Sequence, residues 1–171
     1  MTQLTLAQPA NTVLDWRGSK AALMQAGFVA AAVALPSLCH FFNASFRAFL
    51  PMHWPVMAAG LVYGWRGGLA VGFVSPLVSF ALSGMAVPLM CPELAAYGFA
   101  AGFARQNLRL NGYAALLLAA VFGRLAYAAS ASFLLNMPLA VISAALAPGL
   151  AAGLAQVVLL PGLAGIWTKA K

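Results

Sequence analysis

Two side chains in this sequence have the chemistry to hold a soft or borderline metal: Cys91 and His53. Cys91 stands in Met90-Cys91-Pro92-Glu93-Leu94, where Pro92 suits the first turn of a helix. A helix N-terminus offers free N–H groups and a positive dipole end, and both favour a thiolate. A thiolate there can bind cobalt, zinc or copper, with His53 as the candidate second ligand. Two alternatives stay open for this thiol, a small buried hydrophobe or a disulfide with Cys39. His53 lies in Leu50-Pro51-Met52-His53-Trp54-Pro55, and a lone histidine at a helix start serves equally as a cap or an interfacial anchor. Around them, Phe42, Phe46, Phe49, Trp54, Tyr97 and Tyr127 can wall a cavity for a flat organic ligand, or simply pack and form an interfacial belt.

The elements that must position these residues are membrane helices. Of 171 residues, 64% are hydrophobic and 6% charged, and the mean hydropathy is +0.93, far from a soluble domain. A span needs about 20 apolar residues, so the chain holds at most six or seven and leaves no room for a separate soluble domain. The apolar runs give six spans, at 20–41, 53–65, 67–84, 92–105, 112–135 and 139–167. Prolines 51, 55, 76, 88 and 92, with glycines 64, 67, 68 and 84, mark the ends of the short second, third and fourth spans as broken or tilted. The expected fold class is therefore an all-α integral membrane bundle over 20–171, preceded by a polar tail or surface helix over 1–19. That polar segment does not read as a cleaved signal peptide.

Charge sets the orientation. Arg17, Lys20, Arg66, Arg105, Arg109, Lys169 and Lys171 fall on one side of the six-span layout and Arg47 on the other, which puts both termini in the cytoplasm. The outer side is then made by connections 42–52, 84–91 and 136–138. They carry or adjoin Phe42, Asn43, Arg47, Met52, His53, Trp54, Met85, Met90, Cys91, Asn136 and Met137. Arg124 falls inside the fifth span, about 18 Å from its outer end, whereas Glu93 lies near the surface, so direct pairing is not expected. A structural role and a ligand contact both remain open for Arg124. The net charge of +7 is scattered and forms no stripe for nucleic acid.

Ala22, Ala26, Ala30 and Ala34 recur every four residues along one stripe of the first helix. Small residues let helices approach closely in a membrane, either within the chain or against a separate subunit. The sequence has no P-loop, no zincin helix and no nucleophile–base–orienter set. Its two acidic residues are too few for a proton relay, which disfavours a proton-coupled antiporter. A subunit that captures substrate and borrows its power fits better.

The stretch Leu50-Pro51-Met52-His53-Trp54-Pro55-Val56, continuing through Ala59-Gly60-Leu61-Val62-Tyr63-Gly64-Trp65-Arg66-Gly67-Gly68 to Ser75-Pro76-Leu77 and Glu93-Leu94-Ala95-Ala96-Tyr97-Gly98, resembles the substrate-binding S components of energy-coupling-factor (ECF) vitamin transporters. The resemblance implies that Ala22, Ala26, Ala30 and Ala34 dock on the transmembrane coupling subunit, which works with ATPases. It also implies that a vitamin binds near the outer face, in a bacterial inner membrane, at a site open to the periplasm. Within the family the chain looks most like the solitary cobalamin-specific members. By that likeness Cys91 is the axial ligand of the corrin cobalt, and displacement of cyanide from cyanocobalamin would make the carrier a decyanating agent. The chain then needs no cofactor of its own, since cobalamin is the transported ligand. Another small vitamin such as pantothenate, or a structural subunit without ligand, are the alternatives.

Overall fold

The computed structural model describes residues 13–42, 49–84 and 90–169, with side chains to 166. Among these residues there are only helices: α1 Ser19–Phe41, α2 His53–Ser83, α3 Met90–Gln106, α4 Gly112–Leu135, α5 Leu139–Leu146 and α6 Leu150–Lys169, the last two joined by a single 3-10 turn, Ala147–Gly149. Helix ends follow local chemistry. The Asn111 side chain accepts from the Ala114 N–H at 2.8 Å and caps α4. Gly84 and Asn136 end α2 and α4 in the left-handed conformation, at φ 67° and 51°. Pro148 falls in the 3-10 turn that divides the expected last span.

Four stretches are long and apolar enough to cross a membrane, Ser19–Phe41, His53–Ser83, Gly112–Leu135 and Leu139–Ile166. The sequence reading expects six spans, and the difference lies in two places. Expected spans 53–65 and 67–84 fall within the continuous helical run of α2, and α3 has 17 residues, about 25 Å of helix. Yet α2 is not one rod. Gly64 adopts φ 72° and ψ −170°, outside helical geometry, and this conformation favours glycine. A Cβ on Gly68 would lie 2.7 Å from the Gly60 Cα, whereas eight residues of straight helix would separate them by about 12 Å. The run therefore doubles back at Gly64 into two antiparallel halves.

The α3 helix closes this hairpin. A Cβ on Gly60 would lie 2.6 Å from the Gly98 carbonyl oxygen, and Gly68 and Gly98 meet backbone to backbone. Such contact replaces, in lipid, the hydrophobic drive that water would supply. Val56, Val62, Val71, Leu94, Ala101 and Leu116 fill the core around it. The outer surface is also apolar, with Leu23, Phe73, Phe80, Leu125 and Phe133 exposed, as a bilayer requires.

Residues 13–18 are neither helical nor a free polar tail. Val13 is buried, the Leu14 N–H donates to the Val62 carbonyl at 2.7 Å, and Trp16 lies under the guanidinium groups of Arg17 and Arg66 at 5.7 and 5.9 Å. Residues 1–12 lie outside the described chain. Arg105 also sits at this end, where its Nη1 donates to the Leu110 carbonyl at 3.0 Å. The opposite end carries Phe42, His53, Met90 and Asn136. Gly98→Ala drives a methyl into the Gly68 backbone and should cost about 1–3 kcal/mol. Thermal unfolding in detergent checks this against Gly153→Ala, where a Cβ meets nothing within 4 Å and no loss is expected.

Candidate functional site

The starts of α2 and α3 meet at the end away from the arginine cluster. His53 is the first residue of α2, and Glu93 is in the first turn of α3. Their side chains pair, His53 Nε2 to Glu93 Oε1, at 3.3 Å. Both residues are buried, at 3% and 7% exposure, and it is the burial that makes the pair indispensable: either partner alone would be a desolvated, uncompensated polar group. His53 Nδ1 is buried with no hydrogen-bond partner. The Tyr97 ring meets His53 edge-on, with centroids 4.8 Å apart at 83°, and lies flat on Gly123, where any Cβ would overlap it. Leu50, in the left-handed region at φ 45°, offers one carbonyl to two donors: the His53 N–H at 3.0 Å and the Gln156 Nε2 at 3.3 Å.

Cys91 is the second residue of α3, two positions before the paired Glu93. It is half-buried and free, as is Cys39 on α1, so no disulfide joins them. His53, the other candidate metal ligand, is committed through Nε2 to Glu93. Among the described residues, no group of three or more His, Cys, Asp or Glu side chains could hold a metal ion.

The remaining candidates divide. Met52 and Tyr97 are buried in the core, and Met90 packs against it. The Trp54 Nε1–H donates to the Phe49 carbonyl at 3.1 Å, and its ring lines a groove between α1 and α6. Tyr127 packs half-buried beside Ala131 and Ile142. Asn136 is exposed and serves as the left-handed cap of α4. Phe42 is exposed and edge-on to Phe41 at 5.2 Å. Asn43, Arg47 and Met85 lie outside the described residues. Two cavities open elsewhere, the groove of 610 Å³ lined by Trp54 and one of 290 Å³ beside Arg105, Asn111 and Tyr113 at the arginine end. Neither is lined by Cys91 or His53.

Sequence reasoning missed the His53–Glu93 pair and the buried Gln156, which is 1% exposed. A signal for the pair existed, because a single acid and a single imidazole in the first turns of two apolar helices have few other ways to be compensated. Arg124 does not pair with Glu93. Its Nη2 reaches the 3-10 turn before α6 instead, 2.5 Å from where a Gly149 Cβ would stand. Ala22, Ala26, Ala30 and Ala34 are all exposed, while Ala21, Phe28 and Ala32 turn inward. The alanine ladder is thus presented outward, away from the core.

A family model described as "ECF transporter, substrate-specific component" matches residues 22–166. The chain belongs to this family and is a multi-pass, membrane-embedded substrate-binding subunit of a transporter. No curated protein and no solved structure matches it. His53→Ala, which strands Glu93, should destabilise the protein by about 3–5 kcal/mol, and His53→Ala with Glu93→Leu should recover much of that loss. Thermal unfolding of the two singles and the double in detergent checks both expectations.

Proposed function

We propose that this S component captures cobalamin for uptake, with Cys91 as the axial ligand of the corrin cobalt. The observation that carries the reading is the placement of Cys91. It is a free, half-buried thiol in the first turn of α3, at the end of the bundle opposite Arg17, Arg66 and Arg105. The His53–Glu93 pair, 3.3 Å apart, anchors that turn from below. Phe42, Met90, Tyr127 and Asn136 are the candidate contacts for a macrocycle, and Asn43, Arg47 and Met85 are further candidates that lie outside the described residues.

In this reading the chain passes the membrane six times, the hairpin at Gly64 supplying two passes, with both termini in the cytoplasm. The basic end faces inward by the excess of Arg and Lys there, and Cys91 faces the periplasm of an inner membrane. The outward alanine ladder docks on a coupling subunit that brings the ATPases, or the chain works alone with another energy source. With cyanocobalamin, the Cys91 thiolate forms a Co–S bond as the Co–CN bond breaks. Cyanide leaves with its electron pair and takes a proton from water to become hydrogen cyanide, and the cobalt keeps its oxidation state.

Purified protein mixed with cyanocobalamin should shift the corrin absorption spectrum and release one cyanide per bound vitamin. Cys91→Ala should abolish both, while Cys39→Ala should leave both intact. An unchanged spectrum with wild-type protein would refute the cobalt–thiolate bond. A thermal-shift panel of vitamins that singled out pantothenate, or another vitamin without cobalt, would reassign the ligand and leave the family role standing.

A further inference from the structure

The 610 Å³ groove lies between α1 and α6, with the start of α2 as its floor, since α1 and α6 both pack on α2. Its size falls in the range of about 300–1,000 Å³ typical of ligand clefts. Met24, Gly27 and Ala31 form one wall, Leu160 and Leu163 the other, and Trp54 closes the outer end. No side chain in it offers a free polar group, since the Trp54 N–H is already given to the Phe49 carbonyl. Such a cleft selects a hydrocarbon chain.

Its inner end is different. Lys20, Met24, Gly27 and Ala31 follow one another at spacings of four, three and four, so they share one face of α1. The exposed Lys20 therefore stands one turn below the groove, on the groove's own face. It makes no ion pair with any described residue. Asp15, the only acid nearby in sequence, accepts from the Arg17 amide at 3.0 Å, and the guanidinium groups of Arg17 and Arg66 rest on Trp16. An apolar channel ending at a free ammonium complements an amphiphile with one long hydrocarbon tail and a negative head. A protein helix is served by the neighbouring face instead, where the alanine ladder is flat and small.

We propose that this groove holds an acyl chain of an anionic membrane phospholipid, with Lys20 fixing its phosphate. The site is separate from Cys91 and does not depend on which vitamin is carried. Native mass spectrometry of the delipidated full chain, with palmitoyl-oleoyl phosphatidylglycerol or the matching phosphatidylcholine added in turn, tests it. One Lys at a membrane surface should give phosphatidylglycerol an advantage of about fivefold. Lys20→Gln should remove that advantage and leave phosphatidylcholine binding unchanged. Gly27→Leu with Ala31→Leu should fill the groove and reduce both lipids, without unfolding, since a Cβ on Gly27 meets nothing within 4 Å. Equal binding of the two lipids by wild type, or a preference that survives Lys20→Gln, would overturn the proposal. So would undiminished lipid binding by the filled groove, and if that variant lost a co-purifying membrane protein instead, the groove would belong to a protein helix.

Discussion

Hydrocarbon offers backbone amides no hydrogen-bond partner and offers side chains no hydrophobic drive to associate. Helices must therefore satisfy their own backbones and then hold one another by close fit. In this protein the fit is made of missing side chains. Gly60 and Gly68 face each other across the reversal at Gly64, and Gly98 of α3 sits against both. Everything else is hung on that contact, because it fixes where α2 and α3 begin. With the helices so registered, His53 at the head of one and Glu93 in the first turn of the other come to 3.3 Å, and Cys91 is carried along two residues away.

The polar economy follows the same logic. A chain with two acidic residues spends one in a solvent-exposed segment beside the Arg17 amide and the other on an imidazole in the core. Gln156 and the His53 N–H share the Leu50 carbonyl, so a backbone held at positive φ is tied to both α2 and α6. Tyr97 completes the cluster by packing, its ring between His53 and Gly123. These contacts link α2, α3, α4 and α6 at the end that carries Cys91, while α1 contributes none of them.

The composition made the membrane character and the helical class legible, and the spacing of Ala22, Ala26, Ala30 and Ala34 made the stripe legible as well. Its outward direction was not, since periodicity gives a face and cannot say what the face meets. The reversal between 53–65 and 67–84 was read from the apolar runs and the glycines between them, but that it is made inside one helical run at Gly64 rests on the φ/ψ of that residue. The His53–Glu93 pair spans 40 residues and was hidden for a similar reason. Pairing across helices is a product of register, and register here comes from glycine contacts that resemble, in sequence, every other four-residue glycine spacing in the chain. Residues 13–18 looked polar because Asp15 and Arg17 stand out there, although Val13, Leu14 and Trp16 are the ones that pack.

The division of packing between α1 and the remaining helices bears on how such a subunit can work without energising chemistry of its own. Its core of α2, α3 and α4 is locked by backbone contact and by a buried polar pair, so moving one of these helices against another would strand His53 or Glu93 in hydrocarbon. The α1 helix is held by Phe28 against Tyr63, ring edge to face at 6.4 Å, and by the Gln25 bond to the Trp16 carbonyl at 2.9 Å, with Ala21 and Ala32 as its other buried contacts. Its remaining surface, alanine on one side and the groove on the next, is open to whatever the membrane supplies. A bound cargo would thus sit on the rigid part of the molecule, while the outward faces of α1 are free to meet a power-supplying partner. That arrangement favours movement of the whole bundle as one body over an internal gate, because the buried side chains His53, Ser75, Glu93 and Gln156 are each already held by a hydrogen bond.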